Sequence, residues 1–301
     1  MFCFPKRIKQ YAGPFSLVDG ISFKHPVAGT NSPALMARFP VNPEKAKQFL
    51  PKTGIHPFRL WKQALLIVTV IDYRETTIGK YIEYSIAIAC THGNKPAPRL
   101  LPGLFQGFFN TGQYVIDLPV SSEISVKGGK GIWGMPKHQG QLDFKITENK
   151  VSSQYDLDGK LVTYIEIEPP KYTRIPVKAK ASNYCSFRGM LMKSDILLDT
   201  RCGIRLLKSA KARFVIGDHP RLQALKDLEI GPAIATVFLP SITGTLDDHI
   251  ESWFLDLDQL PEKSPEGFES VINLGLSEAW LAPPDAPIPP INAWKQTPAY
   301  G

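Results

Sequence analysis

Apolar residues in this chain recur at every second position or in short runs, and almost nowhere at the spacing of a long helix. Residues 81–90 are the clearest case. Ile82, Tyr84, Ile86 and Ile88 fall on one face of an extended segment, and Tyr81, Glu83, Ser85 and Ala87 on the other. Residues 64–73 are apolar and β-branched, as a buried strand requires. Asp158-Gly159 separates two further strand-like runs, 151–157 and 160–168, and is a strong two-residue hairpin signal. Additional strands are expected at 34–39, 113–118, 140–147, 184–192, 204–216 and 233–239.

Helical signals are few and short. Asn42-Pro43 places a capping residue before a proline suited to a first turn, predicting a helix over 44–50 that Pro51 stops. His219-Pro220 precedes a second over 221–228, with Leu222, Leu225 and Leu228 on one face. Between residues 91 and 112 lies a Pro-, Gly- and Phe-rich connection, long enough to suggest a lid or pocket wall. About ten strands with two short helices define a mainly β class, α+β only in its few helices. The expected architecture is a curved antiparallel sheet closed into a barrel.

Composition bounds the function. The chain has 301 residues, 43% of them hydrophobic, enough for one large domain over 1–245. Residues 246–301 read as an extended tail, with five prolines between 282 and 290 and apolar anchors at Trp253-Phe254 and Trp280-Leu281. Such a tail would pack on the body or on a neighbouring subunit, so a homo-oligomer with exchanged arms is expected. The net charge of +7 is dispersed, and the nearest basic cluster, 201–211, is spaced along a strand. That pattern argues against nucleic acid as partner and for mild attraction of small anions.

The four cysteines, Cys3, Cys90, Cys185 and Cys202, form no CxxC pair and read as reduced thiols of a cytoplasmic protein. No segment reaches the roughly 20 apolar residues of a membrane span, and residues 1–20 lack the apolar stretch of a signal peptide. No membrane partner is expected. His56, His92, His219 and His249 lack ligand spacing with any acid or cysteine, so no metal site is expected. A glycine-rich phosphate loop and a Gly-x-Ser-x-Gly elbow are both missing, and no cofactor is called for.

The segment Lys130-Gly131-Ile132-Trp133-Gly134-Met135-Pro136-Lys137-His138 carries the chemistry. It sets a lysine behind a rigid proline and a bulky apolar stretch, and Gly128, Gly129 and Gly131 read as turn residues ahead of it. Amine catalysis needs an uncharged amine, and burial against Trp133 and Met135 is the kind of desolvation that favours one. A lysine beside a proline is more often a solvated turn residue, and a strand glutamate such as Glu83 usually faces solvent. Trp133 can be pocket wall or plain core, His138 is better read as structural, and Gln113 could donate to a substrate carbonyl.

Residues 131–138 resemble the nucleophile motif of the acetoacetate decarboxylase family, and Lys137 falls on its Schiff-base lysine. Ile78-Gly79-Lys80-Tyr81-Ile82-Glu83 resembles the segment that delivers the family's active-site carboxylate, which lands on Glu83. Residues 220–225 through Phe238-Leu239-Pro240 resemble its closing helix and strand, so the likeness spans about residues 30–240. The resemblance implies a closed β-sheet around an apolar pocket, with Lys137 and Glu83 as catalytic residues. Trp133, Met135, His138 and Gln113 would lie around the substrate. Acetoacetate decarboxylase is itself a standard example of lysine activation by desolvation or a neighbouring cation, so the resemblance implies that mechanism here too.

Two departures stand out. His138 replaces the family's second lysine, and an extended backbone would point it away from Lys137. Residues 26–32 contain no arginine to match the one some members place near the pocket entrance, leaving Arg38 or Arg99 as substitutes.

The function implied is a Schiff-base-forming carbon–carbon lyase acting on a small keto acid, with decarboxylation of a β-keto acid favoured. Aldolase or dehydratase chemistry on a 2-keto acid is the alternative within the enzyme class. A non-catalytic pocket protein, with Lys137 as a charged anchor, is the alternative outside it.

Overall fold

The computed structural model describes residues 15–254 apart from 19, 53, 171–173 and 188, together with all their side chains except those of 247–250. In chain order the strands are β1 (Phe15–Val18), β2 (Ile21–Lys24), β3 (Val27–Val41), β4 (Ile55–Pro57), β5 (Ala64–Tyr73), β6 (Glu75–Thr76), β7 (Tyr81–His92) and β8 (Gly112–Val120). Then follow β9 (Lys137–Gln139), β10 (Gln141–Leu142), β11 (Lys145–Ile146), β12 (Val151–Leu157), β13 (Lys160–Ile167), β14 (Ile175–Phe187), β15 (Met190–Leu206), β16 (Ala212–Ile216) and β17 (Ala235–Phe254). Among the described residues three α-helices interrupt them, α1 (Pro43–Ala46), α2 (Leu101–Leu104) and α3 (Glu123–Trp133).

Seven strands close a barrel in the order β7-β5-β3-β17-β15-β14-β8, with β8 returning to β7. The expectation of a closed, mainly β fold holds, with one refinement. The ring is antiparallel except at one seam, where β14 meets β8 in parallel through Asn183↔Gln113 and Tyr184↔Tyr114. β9 adds to β8 outside the ring, also parallel, with Leu118 opposite Lys137.

A second sheet, β10-β12-β13-β16 with β11 beside β12, covers one side of the barrel. The main core lies between the two. There Tyr84, Ile86 and Ile88 of β7 pack with Leu66, Val68 and Val70 of β5 against Tyr155, Val162 and Ile165 of the second sheet. The apolar face of β7 therefore looks outward into this core, and its mixed face, Tyr81, Glu83 and Ser85, looks into the barrel. Leu222, Leu225 and Leu228 join the same core from a 3-10 segment, Pro220–Leu228, capped by the His219 side chain. Asn42 likewise caps α1, its side chain accepting from the backbone N–H groups of Glu44 and Lys45.

Several local expectations are corrected. Residues 128–131 belong to α3, an eleven-residue helix, and not to a turn. Its glycines answer to packing: a Cβ at Gly128 would come within 2.7 Å of Phe23, and one at Gly131 within 2.6 Å of Val18. Residues 184–192 form no single strand, because β14 turns into β15 at Gly189, whose φ is +76°. Residues 204–216 split between β15 and β16, which lie in different sheets, through a 3-10 turn at Leu207–Ser209. The connection over 91–112 contains α2 and contributes no residue to the barrel cavity, so it is neither its lid nor its wall.

β17 runs through Pro240 and past residue 245, so the expected boundary falls inside a barrel strand. Proline is tolerated there because the pairing with β3 shifts register between Leu239 and Ile242. Residues 255–301, including the expected anchor at Trp280-Leu281, lie outside the described residues. No helix among the described residues is long and apolar enough to cross a membrane.

Candidate active site

The sequence Trp133-Gly134-Met135-Pro136-Lys137 makes a sharp passage from α3 to β9. Gly134 ends the helix at φ +62°, a conformation open to glycine, and its N–H returns to the carbonyls of the last turn. Lys137 then begins β9 and turns its side chain inward, where only 4% of the residue is exposed. Its stem passes over Gly129 of α3, where a Cβ would collide with Cδ and lie 2.8 Å from Cε.

At the end of that stem, Lys137 Nζ lies 2.7 Å from Glu83 Oε2. It also donates to Ser125 Oγ at 2.9 Å and lies 5.4 Å from the ring centroid of Tyr81. Glu83 sits on β7 between Ile71 of β5 and Val120 of β8, and is itself buried. Tyr81 stacks on Tyr73 at 4.6 Å. Burial first, and then the charge of Glu83, pushes both phenols well above their ordinary value, so both stay protonated. Cys185, packed beside Trp133 and Met135, has its thiol pushed up to about 12 by burial, opposed by Lys137 and reinforced by Glu83.

The pair opens into a barrel cavity of about 110 Å³. That is room for a small metabolite and not for a polymer. Met135 and Gln113 line it as expected, and Gln113 Nε2 donates to Asn183 Oδ1 at 2.8 Å across the parallel seam. Trp133 does not line it. It is buried one layer behind, in a cluster with Met135, Val115 and Leu118.

His138 is a correction too. Alternation along β9 sends it to the far side of the strand, out of the cavity. There Nε2 meets Tyr155 Oη at 2.8 Å, and Nδ1 lies 3.1 Å from the Arg221 guanidinium. Arg221 in turn donates to Asp117 Oδ1 at 2.8 Å. Asp117 is buried, and desolvation raises its carboxyl above the ordinary value although Arg221 pulls it down. Arg38 and Arg99 are both exposed and neither lines the cavity. Lys137 is the one cationic side chain in the cavity wall among the described residues.

Ser125 and Asn183 are not apparent from the sequence. Ser125 carries a signal only once α3 is recognised, because Ser125 and Gly129 are four residues apart and share the face turned to Lys137. Asn183 carries none, since its role depends on a seam between strands 70 residues apart. Among the described residues no group of three or more His, Cys, Asp or Glu side chains could hold a metal ion.

Fold and site together define a class: a closed β-barrel with a buried lysine–carboxylate pair in an internal, mostly apolar cavity. The acetoacetate decarboxylase (ADC) family matches residues 14–187, and the chain belongs to that family. The match takes in Lys137 and Glu83 and stops before the segment 220–240.

Among solved structures, acetoacetate decarboxylase from Legionella pneumophila is similar over 84% of this chain and 93% of its own, at 12% identity and a TM-score of 0.53. The enduracididine biosynthesis enzyme MppR, complexed with the condensation product of pyruvate and imidazole 4-carboxaldehyde, is similar over 76% and 89%, at 14% identity and 0.54. An acetoacetate decarboxylase-like enzyme from Sphingomonas wittichii RW1 follows over 77% and 95%, at 14% and 0.50. At these identities the likeness is one of fold. A search of curated protein sequences finds no match.

Proposed function

We propose that this protein is a Schiff-base lyase that decarboxylates a small β-keto acid through Lys137. The observation that carries the reading is the buried contact of Lys137 Nζ with Glu83 at 2.7 Å, facing the barrel cavity. Moving one proton from Nζ to the Glu83 carboxylate along that contact leaves a neutral amine in a site with little water to oppose it.

The free amine attacks the ketone carbon to give a carbinolamine, and the protonated Glu83 returns its proton to the hydroxyl as it leaves as water, giving an iminium whose positive charge the Glu83 carboxylate balances. The electron pair of the carboxyl–carbon bond then moves into the iminium, carbon dioxide departs, and an enamine remains. Protonation of the enamine carbon and hydrolysis by water return the ketone and free Lys137. Ser125 holds Nζ in place.

A second reading has one support: MppR has been captured with pyruvate and with a pyruvate condensation product. The same iminium on a 2-keto acid would give aldol or dehydration chemistry, so the site contacts, not the scaffold, decide between them. Carbon dioxide release from acetoacetate tests the proposal. Lys137→Ala should remove activity above the spontaneous rate, and Glu83→Gln should lower kcat by about 100-fold or more. Wild-type release no faster than the spontaneous reaction, together with turnover of pyruvate and an aldehyde, would move the assignment to the second reading.

A further inference from the structure

The connection over 91–112 has no part in the cavity, yet it turns a run of apolar side chains outward. Leu101, Leu104, Phe105 and Phe108 fall at the spacing of successive helical turns, and all are exposed, Leu104 to 77% and Phe108 to 83%. The Phe105 N–H returns to the Leu101 carbonyl at 2.9 Å, and the Phe109 N–H to that of Phe105 at 3.2 Å. The turn at 58–63 lies against this segment, with the Leu100 N–H donating to the Arg59 carbonyl at 3.1 Å. It adds Trp61, which is 61% exposed although its φ of +55° is one that bulky side chains rarely adopt. An exposed apolar face of this kind marks a contact surface. Its surroundings are basic: Lys62, Lys95 and Arg99 are exposed, and no aspartate or glutamate occurs in residues 45–71 or 84–116. Acids of neighbouring segments are already matched, Glu44 with Arg59 at 3.0 Å and Glu251 with Lys193 at 2.9 Å.

We infer that this face is the docking surface for the chain's own residues 266–281. The end of β17 sets the neighbourhood. The Trp253 ring lies 4.1 Å from that of His92, the last residue of β7. Tyr184, 5.8 Å from the same ring, donates to the Asn110 carbonyl at 2.8 Å. The last described strand thus finishes beside both ends of the connection. From residue 254 to residue 266 the chain can reach about 40 Å when extended, enough to cross that face. Composition supplies the match. Phe268, Val271, Ile272, Leu276 and Trp280 suit the apolar stripe, and Glu266, Glu269 and Glu278 suit its cations. Residues 266–281 contain no lysine, arginine or histidine of their own. A second copy fits less well, because an isologous contact would set Lys62, Lys95 and Arg99 of one protomer near the same residues of the other. Docking is independent of the chemistry at Lys137.

The test uses the full chain with a benzophenone amino acid in place of Phe105. Unlabelled and heavy-isotope-labelled proteins are mixed, irradiated and mapped by mass spectrometry. Cross-links from that position to residues 266–281 are expected, joining light to light and heavy to heavy only. A second readout is tryptic cleavage at Lys263 and Lys295, which flank the docked segment. Leu104→Glu and Phe108→Glu put an acid where the segment's own acids dock, on side chains exposed enough to leave the fold intact. Each should speed that cleavage about tenfold or more, with the far-UV circular dichroism of wild type. Light-to-heavy cross-links would give the face to a second copy and overturn the inference. An absence of cross-links to 266–281, or variant cleavage no faster than wild type, would give it to a partner of another kind and overturn the inference equally.

Discussion

At the scale of single residues, the site depends as much on what is missing as on what is present. Gly129 has no side chain where the Lys137 stem passes, and Ser125, one turn away, accepts from its ammonium. Gly129 has no positive φ, so alanine there keeps the backbone and gains about 1 kcal/mol of helix propensity. Its methyl group must nevertheless displace Lys137. Gly129→Ala is therefore expected to fold with a melting temperature within a few degrees of wild type, yet lose at least tenfold in kcat. A fully active Gly129→Ala protein would mean that the lysine stem does not need its present path.

Residue identity is the legible part of the site. Lys137 and Glu83 can be picked from the sequence, and the structure brings them together. His138 is excluded from the cavity only by the extended backbone of β9, and Trp133 lies a layer behind its expected place.

Elements are legible where a single period governs them. β5 has the expected bounds, and the hairpin at Asp158-Gly159 has φ of +51° and +71°, the left-handed pair that a two-residue turn of this kind needs. Sequence and structure part where tertiary packing overrides local preference. Gly128, Gly129 and Gly131 look like a turn, but α3 keeps them because Phe23, Lys137 and Val18 press against it.

Gly134 is different, since its φ is positive and a Cβ would lie 2.5 Å from Met192 Sδ and 2.7 Å from Phe187 Cβ. Gly134→Ala should destabilise the protein by about 2–4 kcal/mol, from backbone strain and overpacking together. Thermal or urea unfolding checks this, and a change below about 0.5 kcal/mol would contradict the packing described.

For the molecule as a whole, the question is what locks the second sheet and the 3-10 segment onto the barrel behind Lys137. Apolar contact does most of this, and the cluster of Arg221, Asp117, His138 and Tyr155 adds a polar tie from Pro220–Leu228 to β8, β9 and β12. Arg221→Ala leaves Asp117 buried without its charge partner. A loss of about 2–4 kcal/mol at pH 8 is expected, less than for a fully buried pair because Arg221 is partly solvated.

The pH dependence has a definite sign. The folded carboxyl of Asp117 is raised by burial and lowered by Arg221, so removing the arginine raises it further. Between the unfolded value near 3.9 and that raised value, the native state binds the extra proton and gains stability as pH falls. The penalty of Arg221→Ala should therefore shrink from pH 8 toward about pH 5. An unchanged penalty across that range would rule out Asp117 as its source. Closure of the barrel is implied by the many short strands, but its parallel seam is not, because pairing between β8 and β14 leaves no periodic mark in either strand.

The central claim is that Lys137 is a nucleophile, and the direct measurement is borohydride reduction in the presence of acetoacetate, then peptide mass mapping. A stable mass increase on the peptide containing Lys137, missing without borohydride and in Lys137→Ala, is the result expected. A folded protein that yields no adduct, or carries it on another lysine, would contradict the claim.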